Sequence, residues 1–334
     1  MRRPRVFVTQ PVAKGALDRL RKVASVTVNP DSSRIIAKPK LIAAVKQADI
    51  LFCLLHDKID GDIVAANLHL RLIAAQSITP SNIDVATANA RRIPVTVTAP
   101  VTTEATADLT FGLMLAVARR MVEGDRMVRA GKFPGSQSAH LLGAIVHGKT
   151  LGLIGGGGLI GKAVARRARG FSMRVLYWTP RRKPEAEERE AGLTYVPLDE
   201  LLRESDFVSI HSPLKPETRR QIGARELRLM KKTAFLVNTA RGPIVDEVAL
   251  TRALVKKQIT GAGLDVFEFE PKVSAELRGL KNVVLNPHLG SATVEVREEM
   301  AGIVVDNILA FLDGKRPPNI VNPEVLETMS LPRR

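Results

Sequence analysis

Gly156-Gly157-Gly158-Leu159-Ile160-Gly161 lies between an apolar run at 151–155 and a helix-like run, Lys162-Ala163-Val164-Ala165-Arg166-Arg167-Ala168. Strand, glycine turn and helix in that order make a site for a dinucleotide pyrophosphate. Glycines let the backbone turn and approach the phosphates, and the helix N-terminus faces their charge. Because 155–158 are all glycine, two frames are open: Gly155-x-Gly157 counting from the strand, Gly156-x-Gly158 counting back from the helix. Close helix packing places the last glycine at Gly161, which favours the helix frame and puts Gly156, Gly158, Leu159, Ile160 and Gly161 at the phosphates.

About twenty positions on, a carboxylate at the end of the second strand would accept from the ribose 2′-hydroxyl of NAD. Here the strand Met173-Arg174-Val175-Leu176-Tyr177-Trp178 is followed by Thr179-Pro180-Arg181-Arg182-Lys183. A small hydroxyl and three cations stand where a 2′-phosphate would sit, and guanidinium forks suit phosphate. NADP is the expected cofactor, with NAD as the alternative if the run is only a solvated basic loop.

The 334 residues, 45% hydrophobic and 25% charged, have the balance of an ordinary globular chain with room for two cores. No apolar run approaches the roughly 20 residues of a membrane span. The N-terminus has two arginines but only a strand's worth of apolar residues behind them, so no export signal is expected. The single cysteine, Cys53, lies in an apolar run and reads as a buried inert thiol, in keeping with a cytoplasmic location. The net charge of +16 is scattered along the chain, with short clusters at 181–183 and 219–220 and no nucleic-acid motif. Scattered charge of this kind argues against nucleic-acid and membrane partners and for solubility and the attraction of small anions.

Apolar runs alternate with helical patterns throughout, the signature of parallel α/β architecture. Strands are expected at 5–8, 25–28, 50–55, 71–76 and 95–97, with helices near 13–22, 39–47 and 60–66. One long helix is expected from Thr103 through Ala130. Six more strands, at 151–154, 174–178, 207–211, 235–238, 261–266 and 283–285, match a doubly wound dinucleotide domain. The helical tail 292–313 is long enough to return to the first domain. The expected fold is therefore α/β with two doubly wound open-sheet domains: a Rossmann cofactor domain, 101–290, inserted in a discontinuous flavodoxin-like substrate domain, 1–100 and 291–334.

Three polar clusters stand at ends of second-domain strands, where ligands gather in open α/β sheets. They are Asn238-Thr239-Ala240-Arg241-Gly242, Asp265-Val266-Phe267-Glu268-Phe269-Glu270 and Asn286-Pro287-His288-Leu289-Gly290-Ser291. Separately each has a plain structural reading: Arg241 pairs with Asp246, Glu270 is a loop carboxylate, His288 is a satisfied polar residue. Together beside a cofactor they are the set that reduction of a 2-oxo acid requires. A histidine supplies the proton, a carboxylate orients the imidazolium, and an arginine forks onto the substrate carboxylate.

With these motifs in this order, and with Thr103-Glu104-Ala105-Thr106-Ala107-Asp108-Leu109, the chain resembles the NAD(P)-dependent D-isomer-specific 2-hydroxyacid dehydrogenases, most of all glyoxylate/hydroxypyruvate reductases. The similarity runs from about residue 50 to 322. It implies a catalytic trio of Arg241, Glu270 and His288, with Asp265 holding the nicotinamide amide. It places Thr106, Ser212, Pro213 and Thr239 along the cofactor, and Ser291 on the substrate side. It also implies a homodimer formed through the cofactor domains. Where the family typically has Val-Gly-Tyr-Asp-Asn-Ile-Asp to meet the substrate carboxylate, this chain has Ile78-Thr79-Pro80-Ser81-Asn82-Ile83-Asp84. Ile78 and Thr79 are thus the expected substrate contacts, on a loop whose departure leaves the preferred oxo acid open. Related readings are a phosphoglycerate dehydrogenase-like enzyme and, in a different class, a dinucleotide-sensing corepressor-like binding protein. A formate dehydrogenase would call for glutamine at Glu270.

Overall fold

The computed structural model describes residues 2–327. By internal contacts the chain divides into two compact units. One comprises everything before Thr102 and after Ala292, the other Thr102–Ala292.

In the first unit β1 (Arg5–Val8), β2 (Ser25–Val28), β3 (Ile50–Leu54), β4 (Leu72–Gln76) and β5 (Val95–Thr96) form a parallel sheet ordered β2-β1-β3-β4-β5. The order reverses at β1/β3, the flavodoxin-like winding expected from the alternating pattern. β3 and β4 read as unbroken apolar runs because helices cover both faces of the sheet. Leu41, Val45, Ile63 and Val64 pack over Phe7, Leu51 and Ile73 on one side. On the other, Val304, Val305, Ile308 and Phe311 of the helix Val294–Leu312 cover Val6, Val8, Phe52 and Leu72. The returning chain also extends the sheet at β5: Val97 N–H donates to Asn319 O (3.0 Å) and Val321 N–H to Val95 O (2.8 Å). Cys53 is fully buried in this core, and burial pushes its thiol well above the usual range.

In the second unit seven parallel strands run in the order β12-β11-β10-β9-β6-β7-β8. They are β6 (Thr150–Ile154), β7 (Arg174–Trp178), β8 (Thr194–Tyr195), β9 (Phe207–Ile210), β10 (Phe235–Asn238), β11 (Gly261–Leu264) and β12 (Val283–Leu285). This is the doubly wound order of a dinucleotide domain, reversing at β6/β9. Two expectations need correction. There are seven strands, not six, because β8 is a two-residue edge too short to carry a pattern. The helix from Thr103 is also not continuous: it ends at Ala118, Arg120 takes a left-handed φ of 52°, and a second helix spans Met121–Arg129. Strands expected to reach 211 and 266 end at Ile210 and Leu264, so His211 and Asp265 lie just beyond their strands. Among the described residues no helix is long and apolar enough to cross a membrane.

Candidate active site

At the C-terminal end of β6 the chain turns through Gly155, whose φ of +83° suits glycine. A Cβ there would lie 2.6 Å from Ser212 N and 2.7 Å from His211 C, so the turn closes tightly over the end of β9. The helix Leu159–Gly170 then begins after Gly158, and a Cβ on Gly161 would lie 2.5 Å from Gly156 Cα. Each frame therefore accounts for part of the loop: Gly155 makes the turn, as counting from the strand requires, and Gly161 packs on Gly156, as counting from the helix requires. Gly155 was not among the expected cofactor residues, although its place directly after the strand was the signal for it. The result is a helix N-terminus preceded by four glycines, the shape a pyrophosphate needs. Leu159 is exposed and Ile160 partly buried on its first turn. The residues present fit a dinucleotide.

After β7, Thr179 Oγ1 donates to Arg181 O (2.7 Å), which curls the loop. Arg182 is not available in the way the sequence suggested. Its Nε and Nη2 donate to Glu188 Oε1 (2.9 Å) and Oε2 (2.8 Å). Tyr177 OH, from within the strand, donates to the same Glu188 Oε1 (2.6 Å) and accepts from Lys183 N–H (2.9 Å). Arg182 and then Tyr177 hold the Glu188 carboxyl down at about 2, while burial and that carboxylate push Tyr177 up to about 12. Arg181 stays exposed, and the Lys183 side chain lies across the glycine loop, 2.8 Å from where a Gly157 Cβ would stand. Ser212 is buried beyond β9 and Pro213 is exposed. His211 between strand and Ser212 has Nε2 2.9 Å from Ser209 Oγ, and burial pulls it down to about 3, so it is a neutral histidine.

Beyond β10 the buried Asn238 shapes the next turn: its Oδ1 accepts from Ala240 N–H and its Nδ2 donates to Arg241 O, both at 3.0 Å. Arg241 is thereby presented in extended conformation. Its guanidinium donates to Ala240 O (2.7 Å) and forms no ion pair among the described residues. Asp246, its suggested structural partner, instead caps the helix Glu247–Val255 by accepting from Ala249 N–H (2.9 Å). Burial draws the Arg241 guanidinium below its ordinary range, against the pull of Glu270. The following residue has to be glycine, since a Cβ on Gly242 would fall 1.8 Å from Phe267 O. That close approach sets the Arg241 turn against the loop that carries Glu270.

Glu270 divides its oxygens. Oε1 accepts from Phe267 N–H (2.9 Å) and Oε2 lies 3.0 Å from His288 Nδ1. An ionised carboxylate only accepts, so the Nδ1 that faces it carries the hydrogen. His288 sits at φ +57° after β12, its N–H donating to Asp265 O (2.9 Å). The Asp265 side chain completes the clamp: Oδ1 accepts from Leu289 N–H (2.6 Å) and Oδ2 from Gly290 N–H (2.9 Å). Burial pushes the Asp265 carboxyl up, while Leu289 N–H and His288 favour its charged form. Gly290 is held from the other side by Thr106 Oγ1, which donates to its carbonyl (3.1 Å). Thr110, not anticipated, donates to Thr106 O (2.8 Å) and lies 2.8 Å from Thr239 Oγ1, linking the expected cofactor-side threonines. Ser291 follows in the turn after Gly290.

Thus one end of the seven-stranded sheet gathers the glycine loop and three strand-end loops bearing Arg241, Asp265–Glu270 and His288. Residues 111–290 match the family described as the NAD-binding domain of D-isomer-specific 2-hydroxyacid dehydrogenases. The chain is also 47% identical over 329 residues to a glyoxylate reductase of Thermococcus gammatolerans, covering 97% of this chain and 98% of that protein. The chain belongs to the D-isomer-specific 2-hydroxyacid dehydrogenases. Among solved structures this dehydrogenase is similar to an NADPH-dependent glyoxylate/hydroxypyruvate reductase from Sinorhizobium meliloti, in complex with NADP and malonate. Identity there is 30%, the TM-score is 0.77, and 100% of this chain and 99% of that one are covered. It is similar too to a D-lactate dehydrogenase from Aquifex aeolicus complexed with NAD and lactic acid, at 29% identity and a TM-score of 0.80 over 95% of this chain and 98% of that one. The dehydrogenase is thus an oxidoreductase with an NAD(P)-binding domain. The expected substrate contacts Ile78 and Thr79 belong to the first unit, on the loop after β4, where Ser77 Oγ donates to Thr79 O (2.8 Å).

Proposed function

We propose that the enzyme is an NADPH-preferring reductase of small 2-oxo acids, glyoxylate and hydroxypyruvate, giving D-2-hydroxy acids. The observation that carries this reading is Arg241, a partly buried guanidinium without an ion pair among the described residues, set against the loop that aims Glu270 at His288. A bound reduced nicotinamide supplies the hydride. Arg241 forks onto the substrate carboxylate and draws charge toward the carbonyl oxygen. His288 Nε2 delivers the proton to that oxygen, and Glu270 favours the imidazolium that does so and fixes its tautomer. Asp265 positions the histidine by holding the two peptide groups that follow it. Thr179, Arg181 and Lys183 meet the adenosine end, where the lack of a carboxylate and two cations favour a 2′-phosphate. The match to glyoxylate reductases over nearly the whole chain supports the substrate class.

A homodimer fits the exposed apolar side chains of Met121, Val128, Phe133, Leu142 and Ile145, which crowd one segment of the second unit beside an apolar cavity of about 720 Å³. The test of function is consumption of NADPH and of NADH, followed by absorbance, with glyoxylate, hydroxypyruvate, pyruvate and phosphohydroxypyruvate. Turnover of the first two, faster with NADPH, is expected. No turnover of any of them with either cofactor would overturn the reading in favour of a dinucleotide-binding protein without catalysis.

A further inference from the structure

On the second unit the helices Ala224–Leu229 and Glu247–Val255 border a cavity of about 470 Å³ that the reaction does not use. Arg220, Arg228, Arg252 and Lys256 line it, with Asp246 as the only acidic residue. That carboxylate is engaged in capping its own helix. It keeps its negative charge there and acts on Arg220, whose Nε also donates to Oε1 of the buried Glu268 at 2.8 Å. Arg228, Arg252 and Lys256 form no ion pair among the described residues. The contrast within one helix is informative, since Arg225 pairs with Asp199 and Glu226 while Arg228, three residues on, lines the cavity and forms no ion pair among the described residues. Three like charges converging on one concavity repel one another unless an anion lies among them. The half-exposed Val248 adds an apolar patch to the wall.

We propose that this cavity binds a small polyanion, a molecule with two or more phosphate or carboxylate groups attached to a compact body. The cavity volume lies in the range of small-molecule sites. Two guanidinium forks and an ammonium, set against the one Asp246 carboxylate, match an ion of charge about two, and each charge-assisted bond is worth more than a neutral one. The cavity also adjoins working parts of the protein. Arg220 N–H donates to Pro243 O (2.8 Å) in the turn after Arg241, and its side chain reaches Glu268, two residues before Glu270.

The experiment is isothermal titration of the full chain with inorganic tripolyphosphate and, separately, citrate. It is run on wild type, on Arg252→Gln/Lys256→Gln, and on Arg181→Gln/Lys183→Gln, which weakens the other cationic loop. All the substituted side chains are exposed or lie at the surface, and melting temperatures check that the variants fold. At least one probe is expected to bind wild type with a Kd raised about tenfold or more in the first variant and little changed in the second. The probe that responds assigns phosphate or carboxylate chemistry. No binding of either probe, or affinity lost in the 181/183 variant but kept in the 252/256 variant, would overturn the proposal. Turnover of 2-oxo acids is not part of this readout, so its success or failure is independent of the reductase reading.

Discussion

Asp265→Asn is the sharpest perturbation of the site, because the two side chains have nearly the same shape. In the wild-type protein both carboxylate oxygens accept a backbone N–H, from Leu289 at 2.6 Å and from Gly290 at 2.9 Å. Asparagine keeps one acceptor and turns an NH₂ group toward the other N–H, so one amide at a buried position loses its partner and faces a donor. The loss is about 1–3 kcal/mol, the cost of an unsatisfied buried donor. It falls on a loop that already holds His288 at φ +57°, a conformation that costs a non-glycine residue energy of its own. The open population of the loop should rise about 5- to 150-fold, and the amides of Leu289 and Gly290 should exchange with solvent faster by a similar factor. Melting should fall by roughly 2–4 °C per kcal/mol in a unit of this size. The kcat should drop about tenfold or more as His288 spends less time aimed, with cofactor affinity nearly kept. Hydrogen exchange by mass spectrometry, a melting curve and steady-state kinetics on one preparation measure all three. Unchanged exchange at Leu289 and Gly290 with the whole loss in cofactor affinity would refute the clamp.

Arg241→Lys keeps the charge but not the planar fork, and is expected to lower kcat/KM for glyoxylate by roughly 10²- to 10³-fold with melting temperature nearly unchanged; a stability loss with intact turnover would make Arg241 structural. Thr179→Asp should shift the ratio of kcat/KM values toward NADH, since a carboxylate there accepts from a ribose hydroxyl and repels a 2′-phosphate; equal ratios before and after would mean that the loop does not touch the ribose. Glu188 predicts a pH effect. Its folded pKa, about 2, lies below the ordinary 4.5. Its contribution to stability is therefore complete above about pH 4.5 and is lost as pH falls toward 2. Wild type should lose more stability than Glu188→Gln across that window in acid denaturation followed by circular dichroism, and parallel curves would count against the ion pair.

Strand positions and the three polar strand ends were legible because an apolar run buried on both faces has few other readings, and a polar cluster directly after it marks the sheet's ligand edge. What could not be read depends on contacts distant in sequence. Nothing local stops the helix at Ala118, since Arg119 and Arg120 are good helix formers. It stops because residues 143–144 cross there: Ala144 N–H donates to Ala118 O (2.8 Å), and a Cβ on Gly143 would lie 2.3 Å from that same oxygen. The pairing of Arg182 was hidden for another reason. Four glutamates, Glu185, Glu187, Glu188 and Glu190, follow it, and only the fold shows that Glu188 is the one turned inward beneath Tyr177. Gly155 was blurred by its own neighbours, since a run of four glycines conceals which one bears the positive φ. The role of Asp265 is of the same kind: its acceptors point to peptide groups more than twenty residues away.

The bond between Arg182 and Glu188 also bears on how such a protein can change over generations. The ion pair and the Tyr177 hydroxyl pin the end of β7 to the helix Glu185–Ala191. That leaves Thr179, Arg181 and Lys183 as side chains on a frame already secured by others. On the proposed reading, substitutions at those three positions are expected to alter the preference for one dinucleotide over another in single steps that each leave a folded protein. A substitution at Arg182 meets a different fate, because it strips a buried carboxylate of its cation before any change of preference can be tested. Lineages exploring cofactor use along this loop should therefore vary around Arg182 and retain it.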